Sequence, residues 1–268
     1  MDNFHPVDTV WQSAIDSGKI EDKKIFYFDT TESTNTVAME LGQAGEPSGS
    51  LVIAETQTKG RGRLGKSWLS PPNTGLYFST ILRPRLEPND LPKITLTAGL
   101  AVCQAIERVT ELKPQIKWPN DLLLNDKKIG GILAEAGEIT NTDNTLVILG
   151  IGLNVTTPIS AFPDDLKVKT TSLLAATGTT FNRGDILNAI LKNIDTQLLA
   201  LEKGGFKEIL REWCLRDATK DRHLTWVATD GKVVSGVSLG PDDNGLLQIK
   251  DQDGNIHEIL SGDVNLAL

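Results

Sequence analysis

Residues 51–72 read LVIAETQTKGRGRLGKSWLSPP. The segment opens on a short apolar run, Leu51 to Glu55, the pattern of a buried strand. It then enters Gly60 to Ser67, which satisfies G-x-x-x-x-G-K-S/T, the signature of a loop that holds phosphate against the N-terminus of a helix. That helix is missing from the pattern, because Trp68-Leu69-Ser70 runs straight into Pro71 and Pro72 and leaves it no room. The segment therefore argues against a nucleotide-triphosphatase fold. It leaves a strand feeding a loop with three glycines, two arginines and two lysines in the eight residues 59–66. Glycines let backbone amides approach a ligand closely, and arginine forks suit phosphate or carboxylate oxygens. Anion binding is the expected use, with a solvated basic hairpin tip as the plainer alternative.

Upstream of this loop, Asp8 to Ser17 has the spacing of a short amphipathic helix, with Val10, Trp11, Ala14 and Ile15 on one face. Lys24 to Asp29 reads as a strand, and Thr34 to Leu41 as a helix with Ser33 as its cap. Downstream, Gly75 to Leu82 is a strand rich in aromatic and β-branched residues. A buried helix runs from Leu91-Pro92 to about Val109. Gln115 to Trp118 with Leu122 to Leu124, then Lys128 to Glu135, then Leu146 to Ile151 read as strands of an antiparallel meander. The turn-like Asn125-Asp126 and the polar stretch Asn141 to Asn144 join them. Helices return at Thr171 to Ala176, Asp185 to Lys203 and Phe206 to Arg216. From Asp221 the texture changes to short β-runs with Gly and Asp turns. The expected organisation is α+β: a mixed or antiparallel sheet flanked by helices over residues 1–220, and a small all-β unit over residues 221–268 that packs against it.

The chain of 268 residues carries 27 Lys and Arg against 35 Asp and Glu, a formal net charge of -8. That balance argues against a whole-surface nucleic-acid binder. The longest apolar runs are far too short for a membrane span, and the N-terminus lacks the pattern of a secretory signal, so a cytoplasmic protein is expected. Cys103 and Cys214 are too few for a disulfide framework and have no neighbouring His, so both read as ordinary core or near-core thiols. His5, His223 and His257 show no ligand spacing, so no protein metal site is expected. Arg183-Gly184-Asp185 spells an integrin tripeptide but reads as a helix start with Asp185 as N-terminal charge. Asn154-Val155-Thr156 is a glycosylation sequon with no secretory context.

A second polar cluster is Lys117-Trp118-Pro119-Asn120-Asp121, followed by Lys127-Lys128-Ile129-Gly130-Gly131-Ile132-Leu133. By itself the first part is an Asx-type turn. Lys117 and Lys128, however, stand at the ends of adjacent strands and could converge with the arginine loop. Paired glycines inside a strand suggest close approach of a ligand or another backbone. Gly150-Ile151-Gly152-Leu153-Asn154-Val155 holds two glycines of a dinucleotide fingerprint without the third.

Ser33-Thr34-Asn35, the run Glu55 to Trp68, Lys117 to Asp121 with Lys128 to Leu133, and Gly150 to Val155 together resemble the biotin protein ligases. The blocks stand in that family's order and spacing over most of the first 155 residues. The terminal β-unit is similar to the family's small C-terminal barrel, and the body to its class II synthetase-like catalytic domain. Lys66 departs from the arginine that many members carry, keeping the charge but losing a fork.

The resemblance implies a ligase that joins biotin to ATP, giving biotinyl-adenylate and pyrophosphate, and then passes biotin to one lysine of a biotin carboxyl carrier domain of the acetyl-CoA carboxylase type. It implies that Ser33, Thr34, Asn35 and Gln57 hold biotin, with Arg61, Gly62, Arg63, Lys128, Gly130 and Gly131 completing that site. Gly60, Arg61, Arg63, Trp68, Asn120, Lys128 and Asn154 are expected on the nucleotide side, with Trp68 near the adenine. Arg63, Lys128, Lys117 and Asp121 are the catalytic candidates, and Mg²⁺ is expected to arrive with ATP. Two anions meet in the first step, so fixed positive charge is the requirement these residues meet. Only 32 residues precede Ser33, so no DNA-binding module is expected, while a homodimer stays open. A lipoate or octanoate ligase on a related core is the alternative, and an anion-binding protein without catalysis is the third reading.

Overall fold

The computed structural model describes residues 23–137, 145–228 and 231–266. The helix expected over Asp8 to Ser17, His5 and the Asn141 to Asn144 connection lie outside these residues. Seven strands form the main sheet: β1 (Ile25–Thr31), β2 (Leu51–Gln57), β3 (Gly75–Leu82), β4 (Gln115–Lys117), β5 (Asp121–Leu124), β6 (Lys127–Ala136) and β7 (Val147–Asn154). Their spatial order is β1-β2-β3-β7-β6-β5-β4. Only β1 and β2 run parallel; every other neighbouring pair is antiparallel. The expected meander is the β4–β7 half of this sheet. Its β5–β6 turn is made by Asn125 and Asp126 at φ 53° and 60°, the two left-handed residues that a two-residue hairpin requires.

Alternation along the strands builds two cores. Phe26, Phe28, Val52, Ala54, Ile81 and Ile148 point to one face, where Ala38 of α1 (Thr34–Gln43) covers them. Tyr27, Leu51, Ile53, Leu76 and Phe78 point to the other, beneath α2 (Lys93–Thr110) and α5 (Arg183–Glu202). All eight residues of β3 are buried, since helices cover both its faces. A fully buried side chain such as Phe78 contributes about 1.5–3 kcal/mol, and Phe78→Ala would cost about 3–5 kcal/mol.

Two short helices, α3 (Asp164–Lys167) and α4 (Leu173–Thr177), lead from β7 to α5, and α6 (Phe206–Cys214) follows it. The four-residue α3 has no counterpart in the sequence expectation, being too short to show periodicity. Ser172 caps α4 through the amide of Ala175, and Asn182 caps α5 through the amide of Asp185, which places Asp185 in the first turn.

Five antiparallel strands follow: β8 (His223–Val227), β9 (Val233–Pro241), β10 (Leu247–Lys250), β11 (Ile256–Ile259) and β12 (Asp263–Leu266). Their order is β11-β10-β9-β8-β12, and no ladder joins β11 to β12 among the described residues. The expected barrel is therefore corrected to an open sheet with two edges. Its inner residues, among them Leu224, Trp226, Leu247 and Ile249, belong to the same apolar cluster as α2 and β3. The Trp118 indole donates to Gly245 O at 3.0 Å, tying the Trp-Pro-Asn-Asp bend to this second sheet.

Candidate active site

A cleft of about 710 Å³ opens over the β2–β3–β7–β6 part of the main sheet. Three segments distant in sequence meet there, and each is placed by its own local chemistry.

The first is the start of α1. Ser33 occupies the N-cap position with an extended backbone (φ -160°), yet its side chain makes no capping bond, contrary to expectation. Gln57 supplies the cap instead, from the end of β2: its Oε1 accepts the Thr34 amide at 2.8 Å and its Nε2 donates to Ser70 Oγ at 2.9 Å. Thr34 and Asn35 are buried, and Ser79 lies beneath them, with Oγ 2.7 Å from Thr34 Oγ1 and 2.6 Å from Asn35 Oδ1. Asn35 Nδ2 donates to Glu135 Oε2 at 2.8 Å and to Leu133 O at 3.3 Å.

The second segment is the glycine-basic loop. It closes as a small hairpin through an Arg61–Ser67 bridge, with the Gly62 amide on Lys66 O at 2.7 Å and the Trp68 amide on Gly60 O at 2.8 Å. A single short turn, Arg63–Gly65, stands where a phosphate loop would start its helix. Arg61 pairs with Glu135 and also reaches Thr36 Oγ1 at 3.5 Å. Arg63 Nη1 donates to Asn120 Oδ1 at 3.2 Å. Trp68 leaves the hairpin and lays its indole on the sheet floor, with its buried Nε1 unbonded.

The third segment is the β4–β5 bend with the start of β6. Lys117, Asn120 and Asp121 face the cleft, and Lys128 Nζ reaches Asp121 Oδ1 at 2.6 Å while standing 5.6 Å from the Trp68 ring centroid. Asn120 is fixed from the other side, its Nδ2 donating to Ile132 O at 3.1 Å. Lys128 also pairs through its backbone with the 169–171 segment, which brings Lys169 and Thr170 to the rim.

The floor explains the Gly150-Ile151-Gly152 run without any dinucleotide. A Cβ at 150 would lie 2.8 Å from Asn35 Cγ, and one at 152 would lie 2.6 Å from Trp68 Nε1. These two strand glycines are the seats of the Asn35 amide and the Trp68 indole. Gly131 lies under the same indole and beside Lys128. Gly130 instead faces Leu122 and the β7 backbone, away from the cleft, and Gly60 packs inside the loop hairpin against Trp68 O. Every other residue expected at the site lines the cleft. Asn154 does so from the end of β7, buried, with Nδ2 donating to Thr171 O at 3.1 Å and Oδ1 unpaired.

Four contributors carry no local signature in the sequence: Glu135, Ser79, Ser70 and the second-sheet residue Asn265 at the rim. Neither cysteine lines the cleft; Cys103 is fully buried in α2, where burial pushes its thiol far up, and Cys214 is raised for the same reason. Beneath the floor, Arg183 and Glu55 form a buried two-bond ion pair, Nη1 to Oε2 at 2.7 Å and Nη2 to Oε1 at 3.2 Å. No helix among the described residues is long and apolar enough to cross a membrane.

The comparisons with known proteins agree with this geometry. The family model described as Biotin/lipoate A/B protein ligase matches residues 27–154. The Bifunctional ligase/repressor BirA of Bacillus spizizenii is 37% identical over 246 residues, covering 91% of this chain and 74% of its own. The biotin–acetyl-CoA-carboxylase ligase of Mycobacterium tuberculosis is 29% identical over 243 residues, 87% of this chain and 85% of its own. In three dimensions, a biotin protein ligase from Aquifex aeolicus in complex with biotin and ATP superposes with a TM-score of 0.78 at 31% identity, covering 91% of this chain and 99% of that one. The chain belongs to the biotin/lipoate A/B protein ligase family.

Proposed function

We infer that this chain is an ATP-dependent biotin protein ligase: it activates biotin to biotinyl-5′-adenylate and transfers it to one lysine of a biotin carboxyl carrier domain. The observation that carries the reading is the convergence of Arg61, Arg63, Lys117 and Lys128 on one cleft floored by Gly131, Gly150 and Gly152. The relatives' names and the biotin and ATP bound in the Aquifex neighbour favour biotin over lipoate.

In the first step a biotin carboxylate oxygen attacks the α-phosphorus. One carbonyl C–O–P link forms, the bond to the β-phosphate oxygen breaks, and pyrophosphate leaves with that electron pair. No protein nucleophile is required. The barrier is the approach of two anions, and Arg63 and Lys128 lower it by holding both in place and taking up the charge that builds on the α-phosphoryl oxygens. Asp121 orients Lys128 through the 2.6 Å contact, and Asn120 does the same for Arg63. Lys117 adds positive charge at the bend. Magnesium travels on the triphosphate.

Ser33, Thr34 and Gln57 form the polar end that receives the biotin head group, with Asn35 held rigidly behind them. Gly62 and Arg61 border the carboxylate, and Trp68 and Asn154 border the nucleotide. In the second step the carrier's lysine amine attacks the acyl carbon, the C–N bond forms, AMP leaves, and the amine gives up its proton. The indole and the hairpin loop shield the anhydride from water meanwhile. We assign the activation chemistry to residues 1–220, with the β unit from 221 adding Asn265 at the rim.

Biotin-dependent ATP–pyrophosphate exchange tests the reading. Lys128→Ala and Arg63→Ala should each lower exchange by orders of magnitude while the fold survives. Wild-type exchange in both would remove the mechanism, and exchange that responds to lipoate in place of biotin would replace the substrate.

A further inference from the structure

We propose that Glu135 is a positioning residue for the glycine-basic loop: its carboxylate holds Arg61 at the mouth of the cleft and releases it to the substrate anion. The proposal rests on the ligase reading for the identity of that anion. It rests on geometry alone for the tie itself.

The two oxygens of Glu135 are not equivalent. Oε2 accepts Asn35 Nδ2 at 2.8 Å. That donor cannot turn away. The Asn35 side chain is buried and seated over Gly150, where even a methyl group would collide with it, and its Oδ1 takes up the Ser79 hydroxyl at 2.6 Å. An amide whose oxygen is fixed from below must present its nitrogen to Glu135. Oε2 is thus anchored to the core.

Oε1 is left for Arg61, and this side of the contact is open to solvent: the Arg61 side chain is 48% exposed, against 24% for Glu135. From Gly60 on, the main-chain bonds of the hairpin, Gly62 to Lys66 and Trp68 to Gly60, join it to itself, while the Lys59 amide ties its base to Glu32 O at 2.8 Å. Arg61 therefore links the loop to a fixed carboxylate on β6, alongside the Arg63 contact to Asn120 at 3.2 Å. When a carboxylate or phosphate enters, the guanidinium exchanges one anion for another at the same mouth, and the loop follows it. Glu32, which pairs with Lys59 on the same loop, offers a contrast, because that pair is 65% and 70% exposed and has no buried anchor.

Limited trypsinolysis of the full chain reads the tie, since Lys59, Arg61, Arg63 and Lys66 are cleavage sites in the loop. Glu135→Gln keeps an acceptor for Asn35 and removes the charge that holds Arg61. Without ligands, cleavage in Glu135→Gln should be about fivefold faster than in wild type, the factor that ~1 kcal/mol of a half-exposed ion pair represents. Glu32→Gln should cleave at the wild-type rate, and biotin with ATP should return Glu135→Gln to the rate of liganded wild type. Glu135→Asp, which keeps the charge on a shorter arm, should fall between the two and serves if the glutamine variant does not fold. Wild-type cleavage in Glu135→Gln, or equal acceleration in Glu32→Gln, overturns the proposal. Wild-type protein without biotin-dependent exchange would overturn the ligase reading instead, and leave the ligand-free comparison intact.

Discussion

Gly150→Ala is the substitution whose sign separates two accounts of the cleft floor. At an ordinary strand position with negative φ, alanine for glycine stabilises by about 0.4–1 kcal/mol, because the unfolded chain loses freedom. At 150 the new methyl would lie 2.8 Å from Asn35 Cγ and 3.0 Å from Nδ2, and closer still to Oδ1, so the amide must leave its seat. Leaving breaks the 2.6 Å bond from Ser79, about 1 kcal/mol, and the 2.8 Å bond to the Glu135 carboxylate, about 1.5–3 kcal/mol. Crowding adds about 1–3 kcal/mol. Set against the gain of about 0.4–1 kcal/mol, the expected outcome is a net loss of about 3–6 kcal/mol, read as a lower urea midpoint with an unchanged m-value. The damage runs through one side chain, so Asn35→Ala should make the second substitution nearly free: the double variant costs no more than Asn35→Ala alone, a coupling as large as the whole Gly150→Ala loss. A Gly150→Ala protein as stable as wild type, or two losses that add within about 0.5 kcal/mol, would refute the seating.

Glu55→Gln should destabilise by about 3–5 kcal/mol, lowering Tm by roughly 2–4 °C for each kcal/mol, because it removes the Glu55 charge from the buried Arg183 guanidinium, which still donates to Gly75 O at 3.0 Å; the paired Glu55→Leu/Arg183→Met change should cost less than the single one. Asp217 gives a pH signature. Burial raises its carboxyl above the usual range, and its Oδ2 has no partner. A raised carboxyl favours the folded state fully below its unfolded value near 3.8 and loses that contribution as pH rises through its folded value. The urea midpoint of Asp217→Asn should therefore gain on wild type between pH 3.5 and 7; parallel midpoints across that range would contradict it.

The strands were legible because apolar runs are local. Gly75 to Leu82 and the meander around Asn125-Asp126 announce themselves through pattern and turn chemistry. So were the loop's cations, since four fall in residues 59–66. What a local pattern cannot show is who answers whom across the sheet. Ser33 has the type of a cap, yet the Thr34 amide is taken by Gln57, 23 residues further on. Gly150 and Gly152 of β7 match only part of a dinucleotide fingerprint, and they make room for an amide and an indole. Glu135 looks like any strand-end acid until Asn35 is placed against it. Among the described residues no ladder joins β11 to β12, so the small second sheet is open, a matter of strand placement rather than composition.

Arg61 on Glu135 and Lys128 on Asp121 mean that the cleft carries its own internal counter-ions, while Arg63 is tethered by the neutral Asn120 amide oxygen. A ligand entering it swaps partners with these groups and displaces few salt ions from solution. Affinity for the anionic substrates should then depend only weakly on ionic strength, unlike that of a bare basic groove. A stray polyanion gains little here, having no shape with which to dislodge three tethered cations.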